Sequence, residues 1–193
     1  VDTITFTVET AAADTITSGA GNDVIKSATT TAATAAITKV ADMSLGTNTT
    51  AADELHISLA MVKGLTTTTD MVDTGANTAA NGNGTVTTMT TDGQTVAAAD
   101  LVVLANTYAS DTAALAGIKT AGSDTITYGA TLTADDSFLI AYTDGTNSYI
   151  AVATAGAANL TTSEGVDSVA TIVELTGVSS LATLDSTDYT TIT

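Results

Sequence analysis

Ile4, Phe6 and Val8 alternate with Thr3, Thr5 and Thr7, and a period of two gives a chain one apolar and one polar face only when it runs as a β-strand. The alternation returns at Phe138, Ile140 and Tyr142. Tyr149-Ile150-Ala151-Val152 follows, beyond Asp144-Gly145-Thr146-Asn147, which reads as a hairpin loop. Val169 to Leu175 is a further β-rich run, ended by Gly177. Thr is stiff at its branched Cβ and favours strands; Thr and Ala together fill about two-fifths of the chain. Aromatic residues are only 4% and Trp is absent, so the core must be built of Val, Ile, Leu, Ala and Thr methyls. Thin β layers suit such side chains better than one bulky core. The expected fold is mainly β with few short helices. One helix is expected over Ala97 to Ala105. A second is expected over Thr112 to Lys119, with Asp111 as N-cap and Gly117 marking a frayed end. The chain of 193 residues suffices for about one large domain or two small ones.

Charge excludes several functions. Four Lys and no Arg stand against 21 acids, a formal charge of -17. Such a chain cannot neutralise a row of phosphates or an anionic membrane surface, so neither nucleic acid nor membrane insertion is expected. Without Cys there is no disulfide, thiolate metal site or thiol nucleophile. The longest apolar runs, such as Leu101 to Ala105, are too short to span a bilayer. No basic-then-apolar signal opens the chain, and its start at Val1 leads to the expectation of a mature product or a fragment. A hydrophobic fraction of 44% is too apolar for a disordered acidic tail. Catalysis would have to use the single His56, which reads as the polar face of a strand, or the Asp135-Asp136 pair, which reads as a turn or a calcium ligand; no enzyme is expected. Of the acids 17 are Asp. Asp suits turns and is a hard ligand for calcium, so a solubilising surface and a set of cation ligands both account for the excess.

The sharpest local signal is Ser18-Gly19-Ala20-Gly21-Asn22-Asp23-Val24-Ile25-Lys26, which matches Gly-Gly-x-Gly-x-Asp-x-apolar-x except at Ser18. Asp14 and Ile16 repeat the skeleton nine residues earlier, without the glycines. In this spacing about six residues turn and three run as a strand, so nine make half a coil. Gly19 and Gly21 can turn carbonyls inward, the Asp23 carboxylate meets them, and a hard cation fits between. The apolar residue two beyond each Asp fills the coil. Gly19, Gly21 and Asp23 are the best candidate calcium ligands and Asp14 is the next, with Asp42 or Asp53 available to complete the site. Asp-Thr-Ile-Thr also recurs at 2–5, 14–17 and 124–127, as in a turn feeding a short strand.

The nonapeptide, followed by Ile37 to Met43, Gly46 and Asp53 to Ile57, resembles the RTX repeats and cap of type I-secreted bacterial proteins. Ser137 to Gly145, Ile172 to Val178 and Leu184 to Tyr189 resemble in their order the C-terminal region of RTX surface-layer and adhesin-like proteins. The resemblance touches about half the chain. It implies a short parallel β-roll or β-helix segment joined to an antiparallel, sandwich-like part. With the polar, small-residue tract of the middle read as a flexible insertion or boundary over 66–95, the expected division is a roll and cap over 1–65 and a C-terminal β domain with an export-signal-like tail over 96–193. It also implies calcium-driven folding outside the cell, at the bacterial cell surface, and self-assembly into a layer or filament. The alternative is an RTX adhesin or the export module of a larger secreted protein. The expected partners are copies of the chain itself and calcium ions, with cell-surface polysaccharide a further candidate.

Overall fold

A computed structural model describes residues 1–6, 14–27, 37–46, 52–58, 86–96, 99, 101–119, 122–132, 137–156 and 160–192. The described chain is mainly β, with parallel and antiparallel pairing. Strands β1 (Thr3–Phe6), β3 (Val24–Ser27), β5 (Glu54–Ser58) and β14 (Tyr189–Ile192) form an all-parallel four-stranded sheet in the order β1-β3-β5-β14. A seven-stranded sheet holds β2 (Thr15–Ile16), β4 (Thr38–Val40), β13 (Val166–Leu175), β11 (Ser148–Ala155), β10 (Ser137–Thr143), β8 (Leu101–Thr107) and β6 (Val86–Thr88), in that order. Only β11 runs against the rest of this sheet. A third sheet has the order β12 (Leu160–Thr162), β9 (Thr127–Leu132), β7 (Thr95–Val96).

Successive strands change sheet. The first five alternate between the four-stranded and seven-stranded sheets, and β13 followed by β14 does so again. Strands β6, β7 and β8 alternate between the seven-stranded and three-stranded sheets in the same way. Ile16 and Ile25, nine residues apart, lie on different sheets and are both buried in one core. In register, Ile4, Ile25, Leu55 and Tyr189 form one row across the four-stranded sheet. Ile16, Val40 and Leu175 form another across the seven-stranded sheet. The seven-stranded sheet takes strands from both sides of the expected 66–95 boundary. The Asn81-Gly82-Asn83-Gly84 turn, the Thr66 to Thr69 run and Asp135-Asp136 lie outside the described residues.

Three local expectations are revised. Leu101 to Ala105, expected to end a helix, belongs to strand β8. Leu101 to Leu104 are buried on both faces between parallel neighbours β6 and β10, and a short fully apolar run cannot be told from a helix by periodicity alone. The helix α1 (Asp111–Ile118) is capped by Ser110, whose side chain accepts the Ala113 N–H at 3.2 Å; Asp111 is its first residue. Gly117 is buried rather than frayed: a Cβ there would lie 2.2 Å from the Tyr108 ring, so glycine is what lets the tyrosine close on the helix. The 144–147 hairpin forms as expected, with Tyr142 opposite Tyr149.

Candidate metal site

The described residues that lead from the seven-stranded to the four-stranded sheet, 17–23, 41–46 with 52–53, and 176–188, carry the candidate site. Gly19 and Gly21 have φ of 95° and 138°, the left-handed backbone that the nonapeptide demands of them. Asp2, Asp23 and Asp53 each stand one residue ahead of a strand, and the register of β1, β3 and β5 stacks them directly. Asp188 precedes β14, one position out of that row.

The carboxylates of this stack bind main-chain amides. Asp23 Oδ1 accepts the Asp2 N–H at 2.6 Å. Asp53 accepts the Asp23 N–H at 3.0 Å on Oδ1 and the Ser44 N–H at 2.9 Å on Oδ2. Asp188 accepts the Gly46 N–H at 2.8 Å on Oδ1 and the Asp185 N–H at 3.0 Å on Oδ2. Asp42 takes Ser18 N–H at 2.9 Å on Oδ1 and Gly19 N–H at 2.8 Å on Oδ2. Each of these aspartates thus reaches a turn of a neighbouring coil, and amide donors that turn geometry would leave unpaired are satisfied. Burial alone would raise the Asp42 carboxyl, but the Gly19 and Ser18 amides outweigh it and hold the group below the usual carboxylate range. For Asp188 burial wins over the Gly46 and Asp185 amides, and the group is raised.

The expected ligands are brought together only in part. Gly19, Gly21 and Asp23 share one turn. Asp14 opens β2 on the other sheet, half a coil away; its side chain is exposed and its carbonyl accepts the Lys39 N–H at 2.8 Å. Asp42 and Asp53 do join the site, as amide acceptors. Asp188 was not singled out from sequence, and its usable signal was its place just ahead of an inward-facing residue. Of the three Asp-Thr-Ile-Thr copies, the one at 124–127 uses its aspartate in this way. Asp2 and Asp14 precede strands, and Asp124 accepts the amides of Ala105 at 3.2 Å and Asn106 at 2.9 Å, with Ile126 buried two residues on.

Comparison with known families, curated proteins and solved structures gives no match. The fit to calcium therefore has to be tested on the geometry itself. Calcium takes about six to eight oxygens. Among the described residues no group of three or more His, Cys, Asp or Glu side chains is arranged to hold a metal ion. Asp42, Asp53 and Asp188 have both oxygens on amides. Asp23 differs: it is 2% exposed, and its Oδ2 has no hydrogen-bond partner among the described residues. Both its oxygens lie 3.9 Å from where a Gly21 Cβ would stand, so the glycine keeps that side of the carboxylate open. A buried, unpaired carboxylate oxygen is costly unless a cation or water meets it. The residues present offer an ion one unpaired carboxylate oxygen at a glycine-rich turn.

His56 lies on β5 with Nε2 2.8 Å from Glu54 Oε1, in register with Lys26 and Thr190. No described helix is long and apolar enough to cross a membrane.

Proposed function

We propose that this chain is a non-catalytic structural module of a secreted, cell-surface bacterial protein, that it assembles with copies of itself, and that calcium bound at Asp23 assists its folding. The observation that carries the calcium reading is the buried Asp23 Oδ2, without a partner among the described residues, beside the two left-handed glycines. The geometry supports one ion rather than a row, because amides fill the equivalent positions at Asp42, Asp53 and Asp188. The assembly reading draws support from the seven-stranded sheet, whose two edge strands, β2 and β6, are short and run in the same direction. A copy translated along the sheet could continue the parallel pairing without a closing symmetry.

Extracellular calcium modules bind at about 10⁻⁴ to 10⁻³ M, and an ion at 100 times its dissociation constant adds about 2.7 kcal/mol. For a chain of this size that raises Tm by about 5–10 °C. Thermal unfolding in about 10–100 mM calcium, 100 times such a dissociation constant, and in chelator should differ by this amount, Asp23→Asn should abolish the difference, and Asp14→Asn should leave it. Identical curves for the unaltered chain in the two buffers overturn the calcium reading. Ordered sheets or filaments in electron micrographs support assembly; a monomer at every calcium concentration favours the adhesin or export-module reading instead.

A further inference from the structure

Three tyrosines stand in file, from Tyr149 on β11 across Tyr142 on β10 to Tyr108 between β8 and α1. Tyr142 and Tyr149 are cross-strand partners, stacked with ring centroids 5.0 Å apart and planes 23° apart. Tyr108, just beyond β8, meets Tyr142 edge-on with centroids at 6.4 Å. Each phenol donates to a different carboxylate: Tyr149 to Asp144 Oδ2 at 2.7 Å, Tyr142 to Asp111 Oδ1 at 2.7 Å and Tyr108 to Asp124 Oδ2 at 2.6 Å. These are short, charge-assisted bonds. The acceptors are pinned in turn. Asp144 holds the amides of Thr146 and Asn147, Asp111 holds the amide and hydroxyl of Thr171, and Asp124 holds the amides of Ala105 and Asn106. Tyr149 is partly exposed, whereas Tyr142 and Tyr108 are buried.

Burying a phenol requires one hydrogen-bond partner. It does not require that the partner be an anion, or that the rings touch. Removing an electron from a phenol makes its O–H strongly acidic, and here a base is already in place to take the proton. We propose that Tyr149, Tyr142 and Tyr108 form a relay for one-electron oxidation, entered at Tyr149 and ending at Tyr108. An outer-sphere one-electron oxidant takes an electron from Tyr149, the phenolic proton passes to Asp144, and a neutral phenoxyl radical and the reduced oxidant remain. Tyr142 then gives that radical an electron and sends its own proton to Asp111, while Tyr149 recovers its proton from Asp144. The same exchange between Tyr142 and Tyr108 leaves the radical on Tyr108 and the proton on Asp124. There it is shielded from coupling with a second molecule.

The test uses the folded chain, photo-oxidised ruthenium tris(bipyridine) as oxidant and persulfate as its electron sink, with the radical followed by electron paramagnetic resonance and intermolecular dityrosine by fluorescence. The triple variant Tyr108→Phe, Tyr142→Phe, Tyr149→Phe sets the background from Tyr128 and Tyr189. Tyr142→Phe keeps a ring in the stack but removes the relay step. The radical should then stay on Tyr149, its lifetime should fall by an order of magnitude, and dityrosine between molecules should rise. An unchanged lifetime and unchanged cross-linking in Tyr142→Phe overturn the proposal. Asp144→Asn, on the exposed hairpin, supplies a second arm should Tyr142→Phe not fold. It should slow the oxidation of Tyr149 and alter its pH dependence, and an unaltered rate counts against the relay.

Discussion

Asp53→Ala is the sharpest test of the carboxylate stack. Asp53 is 1% exposed, and its two oxygens hold the amides of Asp23 and Ser44 at 3.0 and 2.9 Å. A hydrogen bond to a charged group contributes about 1.5–3 kcal/mol, so two give about 3–6 kcal/mol. Alanine supplies no acceptor, and the two amide donors that Asp53 had paired are left without one. Whole domains are stable by only about 5–15 kcal/mol, so the loss is a large share of the total. At about 2–4 °C per kcal/mol the expected fall in Tm is at least about 6 °C. Asp14→Ala is the control: its side chain is exposed, and surface substitutions stay within about 0.5 kcal/mol. Both variants are compared with the unaltered chain by circular dichroism in chelator, so that no ion contributes. If Asp53→Ala is too unstable to purify, Asp53→Asn, which keeps one acceptor oxygen, should unfold between the two in urea. Equal midpoints for Asp53→Ala and Asp14→Ala would refute the view that carboxylate-to-amide bonds hold the coils together.

Other expectations follow from single contacts. Gly117→Ala gains up to about 1 kcal/mol of helix propensity but drives a methyl into the Tyr108 ring, and such overpacking costs about 1–3 kcal/mol; the net expectation is destabilisation, read as a lower Tm with a changed tyrosine spectrum. Lys39→Ala breaks the 2.8 Å pair with Glu174, but the lysine is 43% exposed, so urea unfolding should shift by less than about 1 kcal/mol. Asp42, Asp92, Asp144 and Asp185 have carboxyls lowered by hydrogen bonds, so their stabilisation is complete above the unfolded value of about 3.9 and is lost as pH falls through the folded values. Asp188 is raised by burial and works the other way, its cost vanishing on protonation. Stability should therefore hold or rise slightly as pH falls from 7 towards 5, then drop steeply below about 4; a steady loss from neutrality downward would contradict this assignment.

Much of the strand content was legible, and for a stated reason. Alternation at Thr3 to Phe6 and the Asp144 to Asn147 turn are local signals, and local signals decide hairpins and exposed strands. Ile16 and Ile25 gave away the change of sheet because only nine residues separate them. The later coils were not legible because their lengths differ. The stacked Asp2 and Asp23 are 21 residues apart, but Asp23 and Asp53 are 30 apart, so no fixed period runs through the stack. Leu101 to Leu104 misled because burial on both faces erases the alternation that marks a strand. Asp23 was legible as special, but not the amides that occupy its neighbours. Whether a carboxylate oxygen meets an N–H or a cation depends on which turn is stacked beside it, and that is settled by tertiary structure.

The same charge balance that argues against polyanionic partners also explains why the aspartates are used as they are. Four lysines cannot pair 21 acids, and among the described side chains Lys39 pairs with Glu174 while His56 Nε2 lies 2.8 Å from Glu54 Oε1. A buried carboxylate must nevertheless be compensated. Main-chain amides are the donors that a coil of short strands has in surplus, since each turn leaves N–H groups that no strand pairs. An aspartate placed just ahead of a strand meets the amides of the adjoining turn, because parallel register brings that turn alongside. The compensation costs the chain no cation, and it joins each coil to its neighbour through groups already ordered by the sheet. The arrangement extends as long as every such carboxylate finds two donors. Asp23 is where the second is missing, so added cations should act at that turn and leave the remaining stack unchanged.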